Sequence, residues 1–279
     1  MDTNFIVIFS YFIVIYRIVQ LYEVLIAMSF QNQFTKTTTD ANLMETVHHG
    51  SAEYPFRYYY ENIALFDFKC IDWHWHSELE FIYVESGNVV FDIGTVHFEL
   101  NEGNGIMINS KILHRLQSSS DAIIPNFLFQ PSFIAPQDSL IYKKYINPVI
   151  SSSLEYLVFQ PNIPWQKKAL EIIKTIIAIQ ETEFNREIIV SMSVQQLWIL
   201  LLENLTFDQF ENMGAVISRT RLQLMMQYVH AHYSENITLE DIARTANISK
   251  STALHLFQNN LKLTPVKYLI NYRLKQAAL

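Results

Sequence analysis

The chain has a single cysteine, Cys70, among 279 residues, and only 17% of its residues are charged. One thiol excludes an intrachain disulfide framework and suits a reducing compartment. No internal repeat or low-complexity segment is present. A membrane span is not expected either. The apolar run from Phe5 to Tyr16 is broken at Ser10, is followed by Arg17, Gln20 and Glu23, and falls short of the ~20 residues a bilayer requires. Only Asp2 precedes it where a secretory signal carries positive charge. Residues 1–28 are therefore read as an apolar extension, either a poorly packed helix or sequence upstream of a start at Met28. No membrane partner is expected, and a cytoplasmic location is.

What is present is a globular composition, half hydrophobic, in a chain long enough for two domains. The net charge of −7 conceals an asymmetry. Arg219 to Leu279 holds eight Lys and Arg against three Asp and Glu, or +5, and the preceding residues sum to −12. An acidic body with a basic tail points weakly to a polyanionic partner.

From Glu53 to Phe133, short runs rich in β-branched and aromatic residues (LEFIYV, VVFDI, VHFEL, GIMIN) alternate with glycine- and asparagine-containing turns. That spacing predicts an antiparallel sandwich or barrel, with Pro125, Pro131 and Pro136 marking the way out of the sheet. After Pro161 the apolar period becomes helical. Trp165 to Phe184 and Ile188 to Leu205 read as amphipathic helices whose wide apolar faces suit either packing on the sheet or a dimer seam. Residues 207–218 read as a linker.

ITLEDIARTANISKSTALHLFQ has the layout of a helix-turn-helix. Thr238 caps a helix whose first turn is acidic, and small Ala243 permits close approach of the next helix. Asn247 tolerates the positive φ of a turn. Ala253, Leu256 and Phe257 turn inward, which leaves Lys250, Ser251, Leu254, His255 and Gln258 toward the outer face. Ser, Gln and His there suit base edges in a major groove, and Lys suits phosphate. A plain helical bundle has the same pattern.

The stretch from Tyr228 to Ala277 resembles the DNA-binding domain of the AraC/XylS transcription regulators. The matching residues are Tyr228-Val229, Tyr233, Ile237-Thr238-Leu239, Ile242-Ala243, Ser249, Leu256-Phe257, Thr264-Pro265, Tyr268, Arg273-Leu274 and Ala277. The resemblance implies that Ser251, Leu254 and His255 read bases. His255 stands where the family most often has arginine, and Lys262 where it usually has glycine. The family carries two helix-turn-helix units, and only the first is expected here, as in a truncated or frameshifted product.

In DWHWHSELEFIYVESG, strand alternation places His74, His76 and Glu80 on one face if the strand is unbroken, with Trp73 and Trp75 opposite. His-x-His, Glu and Gly87 at this spacing resemble the first motif of the cupin barrels, and His114 is the candidate distant histidine. Three imidazoles and a carboxylate suit Zn, Fe, Mn or Ni. The proline-containing turn of cupin enzymes is absent, and AraC-like regulators often carry a cupin-like sensing domain. In that setting His74, His76, Glu80 and His114 are hydrogen-bonding partners of a small effector. No cofactor is then expected, and any metal would take these same four residues.

The expected fold class is α+β: an antiparallel, cupin-like jelly-roll barrel, then an all-α helix-turn-helix domain. The boundaries read are 29–160 for the sensing barrel, 161–206 for a helical dimerisation segment, 207–218 for the linker and 219–279 for the DNA-binding domain. The function expected is a non-enzymatic transcription regulator, a homodimer partnered by double-stranded DNA and a small-molecule effector. A metal-dependent cupin enzyme and a truncated regulator acting by heterodimerisation stay open as alternatives.

Overall fold

The computed structural model describes residues 35–40, 43–94, 96–181, 184–205, 213–261 and 263–278. The apolar run Phe5 to Tyr16 and the departure at Lys262 lie outside these residues. Two antiparallel sheets form the N-terminal part. One has the order β1 (Phe56–Asn62), β8 (Ile123–Phe129), β3 (Leu79–Tyr83), β6 (Gly105–Ile108), β9 (Tyr156–Phe159). The other runs β2 (Cys70–His74), β7 (His114–Gln117), β4 (Asn88–Ile93), β5 (Val96–Asn101). Among the described residues the runs LEFIYV, VVFDI, VHFEL and GIMIN become β3 to β6, as the turn spacing predicts.

The two sheets share an inner core. Val89, Phe91 and Ile93 alternate inward along β4 and meet Ile82, Ile106 and Ile108 of the larger sheet. That larger sheet is covered on its other face as well. There Phe81 stacks with Phe127, Phe129 and Phe159 at centroid distances of 5.3, 5.8 and 6.3 Å. Burial on both faces is why β6 reads as a continuous apolar run rather than as alternation, and why β3 is buried throughout Leu79–Ile82 with Glu80 its one charged residue. Pro125 does not leave the sheet. It sits within β8 opposite Tyr60, where a position that needs no N–H donor accommodates it.

The cover is helical. α1 (Pro164–Ala178) and α2 (Arg186–Asn204) bury Leu170, Ile173, Ile176, Val194, Leu197 and Trp198 against the phenylalanine face. A Cβ on Gly105 would stand 2.9 Å from Leu170 Cδ2, so the absence of a side chain lets α1 lie close on β6. Of the two uses open to these helices, packing on the sheet accounts for the buried stripe. Ile188, Met192 and Ile199 remain exposed.

Besides a single turn at Asn147–Ile150, the C-terminal helices are α3 (Met213–His232), α4 (Leu239–Thr245), α5 (Lys250–Leu261) and α6 (Pro265–Ala278). α3 begins inside the span read as a linker. Leu222, Met225, Met226, Val229, Ile242, Ala253 and Phe257 form their common core. Thr238 and Asp241 make a reciprocal capping box at the start of α4. Asn247 takes φ 53° in the turn, as expected of a residue that tolerates the left-handed region.

Candidate functional sites

β2 ends at His74 and β3 begins at Leu79 in the other sheet, so the strand is broken between His74 and Glu80. Strand parity therefore cannot be what brings them together. The convergence comes from the two sheets facing each other, with His114 at the head of β7 directly opposite His74. His74, His76, Glu80 and His114 are all buried, His114 completely.

Each imidazole is oriented by the backbone. His74 Nδ1 lies 2.7 Å from the Asp72 carbonyl, His76 Nδ1 3.2 Å from that of Glu78, and His114 Nδ1 2.8 Å from that of Ile112. A carbonyl only accepts, so each Nδ1 carries the proton and each Nε2 is left to face inward. The ligating nitrogens of the three rings lie within 4.8 Å of one another. Glu80 Oε2 is 3.4 Å from His76 Nε2 and 3.2 Å from His114 Nε2, and His114 Nε2 is buried with no well-aligned hydrogen-bond partner.

Electrostatics divide the cluster. Burial, reinforced by His114, pushes His74 down to about 4, so it is neutral at pH 7. Burial opposes charge on His76 as well, but Glu80, Glu45 and Glu78 outweigh it and hold His76 above its usual range. For Glu80, too, the desolvation that disfavours its charge is overcome, by His114 and His76, and its carboxyl is held well below the ordinary carboxylate range. The result is an ionised acid among inward-facing nitrogens, the donor chemistry that a cation site uses.

Sequence reasoning missed a second tier of this site. Residues 43–49 pair with the end of β2, with Glu45 N–H donating to the Trp75 carbonyl at 2.9 Å. They carry Glu45 to 3.9 Å from His74 Nε2 and bring His49 to 3.1 Å from Glu45 and 2.9 Å from the Tyr59 hydroxyl. Glu61 lies deeper, accepting from Asn126 Nδ2 at 2.9 Å. Burial pushes its carboxyl up to about 8, with Glu80 and Glu45 adding to the shift. The cavity bounded by Glu45, His49, Tyr59, Glu61, His74 and Glu80 has a volume of about 40 Å³.

The second site is the outer face of α5. Lys250, Ser251, His255 and Gln258 are exposed along it and Leu254 is half-buried, while Ala253, Leu256 and Phe257 point into the core. His255 Nε2 accepts from Asn259 Nδ2 at 2.9 Å, and Lys250 Nζ reaches Glu240 at 3.2 Å. Behind it, His230 of α3 stacks on Tyr272 at 3.8 Å and lies 2.7 Å from the Tyr268 hydroxyl. Among the described residues no helix is long and apolar enough to cross a membrane.

Comparison with known proteins gives a consistent picture. The family model described as the AraC-like ligand binding domain matches residues 66–136. The chain is 33% identical over 247 residues to a protein of Bacillus subtilis named as the uncharacterized HTH-type transcriptional regulator YdeC, covering 86% of this chain and 83% of that protein. It is 26% identical over 112 residues to the lactose operon transcription activator of Staphylococcus xylosus, covering 40% of this chain and 39% of that one. Among solved structures, ToxT from Vibrio cholerae aligns with 77% of this chain and 98% of its own at 13% identity and a TM-score of 0.35.

Proposed function

The chain belongs to the AraC family of helix-turn-helix transcriptional regulators, and we propose that its β-sandwich senses a divalent transition-metal ion. One observation carries the reading: three buried imidazoles each bring a nitrogen within 4.8 Å of the others beside an ionised Glu80, and the cavity that His74 and Glu80 line has a volume of only about 40 Å³. Pockets for organic ligands run to roughly 300–1,000 Å³, whereas an ion with one or two waters needs only tens. The small effector expected from the sequence is on this reading an ion, which suits the small space beside His74 and Glu80. His74, His76, His114 and Glu80 would hold the ion, and their donor set suits Zn, Fe, Mn or Ni. When bound, the ion would supply positive charge beside Glu80, in place of the proton that the neighbouring carboxylates favour on His76. The backbone carbonyls of Asp72, Ile112 and Glu78 keep the three rings in the ligating tautomer.

On the DNA side, α5 enters the major groove, with Ser251, Leu254, His255 and Gln258 toward base edges and Lys250 toward phosphate. The basic charge of the C-terminal residues, +5 from Arg219 onward, supports that contact. The regulator acts in the cytoplasm as a homodimer. The exposed stripe of Ile188, Met192 and Ile199 on α2 supports the dimer.

The test is calorimetric. Metal-free full-length chain titrated with Zn²⁺ is expected to take up one equivalent. His74→Ala and His114→Ala should each weaken binding more than the 10–100-fold typical of losing an outer-shell partner. A wild-type chain that takes up none of Zn²⁺, Fe²⁺, Mn²⁺ or Ni²⁺ stoichiometrically refutes the reading.

A further inference from the structure

The residues that flank the histidines in sequence face away from the cavity. Trp73 precedes His74 and Leu113 precedes His114, and His74 and His114 are cross-strand partners of β2 and β7. Trp73 and Leu113 are 8% and 5% exposed, and with Leu43 they belong to the same buried apolar cluster as Leu222, Met226, Ile242 and Phe257 of the helix-turn-helix unit. One end of a two-strand ribbon therefore carries the paired imidazoles of the histidine cluster on one side and presents apolar side chains to the DNA-binding core on the other. The ribbon is also irregular there, its register shifting between Ile71 and His74. Such a bulge re-aims side chains and marks a strand that need not stay regular.

The surroundings let this contact change. Beside Trp73 a cleft of about 890 Å³ separates the sandwich wall, with Asp92 and Arg115, from Tyr268 and Tyr272 of α6. On the wall itself Arg115 lies 5.9 Å over the Trp73 ring and 3.2 Å from Asp92. The two parts meet through a small apolar contact next to open space, so their relative placement has room to shift.

We propose that occupancy of the histidine cavity is transmitted to the helix-turn-helix unit through Trp73 and Leu113, which act as positioning residues on the reverse side of the His74–His114 pair. This rests on the metal-sensing reading above. A bound charge draws His74 and His114 into one fixed geometry, and the backbone at each position sets its neighbour on the opposite face. Trp73 and Leu113 thus report cavity occupancy at the α3–α6 core, with no contact between cation and helix required. The coupling differs from a ligand that binds both states equally, because only one placement of the ribbon satisfies both rings.

Hydrogen exchange on the full chain, with and without Zn²⁺, tests this without knowledge of the operator. In wild type, Zn²⁺ is expected to change exchange of α3–α6 amides on the order of five-fold or more, the lower end of typical coupling. Trp73→Ala and Leu113→Ala should bind Zn²⁺ with near wild-type affinity by calorimetry while losing that remote response. Trp73→Phe, which keeps a ring in the contact, should retain it. If Trp73→Ala fails to fold, Leu113→Ala carries the same comparison. Zn²⁺ binding with no change in α3–α6 overturns the coupling and leaves the sensing site standing. A full response in both alanine variants overturns the route. No Zn²⁺ uptake by wild type overturns the site and the coupling together.

Discussion

Glu61→Gln should stabilise the metal-free protein at neutral pH, by an amount that grows with pH. Glu61 is buried on β1, and desolvation raises its carboxyl from 4.5 to about 8. At pH 7 the folded chain keeps the proton that the unfolded chain releases, so folding carries a penalty. Because the folded value lies above the unfolded one, stability is unaffected below about pH 4.5 and falls as pH rises toward 8. One titrating group loses about 1.4 kcal/mol per pH unit across that window, which amounts to about 1 kcal/mol at pH 5, about 2 at pH 6 and about 3 at pH 7. Glutamine mimics the neutral acid and can still accept from Asn126 Nδ2. The wild-type-minus-variant difference therefore isolates this residue from every other titration. Chemical denaturation of both proteins at pH 4 to 8, with chelator present, measures it. A difference that stays flat with pH, or in which the variant loses stability as pH rises, would show that Glu61 is ionised in the fold and that the argument from burial is wrong.

Further outcomes follow from the same geometry. Thr238→Ala removes the capping box of α4 and should cost about 1 kcal/mol in thermal or chemical unfolding. Asn247→Val places a β-branched residue at φ 53° and should destabilise the helix-turn-helix unit by about 1–3 kcal/mol, with Asn247→Gly tolerated. Once an operator is selected, His255→Ala should cost about 1–3 kcal/mol and relax base preference at one position. Lys250→Ala should weaken all duplexes alike and lower the salt slope by about 1 in fluorescence anisotropy. Ile188→Glu with Met192→Glu should convert a dimer to a monomer by light scattering while leaving the fold intact, since both side chains are exposed.

Local chemistry made much of this protein readable in advance. Short runs rich in β-branched and aromatic residues, bounded by glycine and asparagine turns, specify antiparallel strands because such side chains suit a pleated sheet and the close turns leave no room for crossovers. The change to helical period after Pro161 specifies α1 and α2 for the same kind of reason. Thr238, Ala243 and Asn247 announced the helix-turn-helix because a cap, a close approach and a left-handed turn each demand a particular residue type. His74, His76, Glu80 and His114 were legible as one group through their resemblance to a cupin motif. Strand parity would have joined the first three for the wrong reason, since the strand is broken between His74 and Glu80.

What the chain could not disclose depends on packing between segments distant in sequence. Glu45, His49 and Glu61 entered the site only because 43–49 lies along the end of β2 and the two sheets face each other. No spacing rule encodes that approach. Cavity size was likewise undecided until side chains from both sheets filled the interior and left about 40 Å³ beside His74 and Glu80. The back-to-back placement of His74 with Trp73 was implicit in strand alternation. That Trp73 rests in the DNA-binding core was settled only when the helices folded against β2 and β7. Short-range sterics and hydrogen bonding determined the elements and the donor atoms, and the long-range burial of apolar surface decided what those atoms enclose and what they touch.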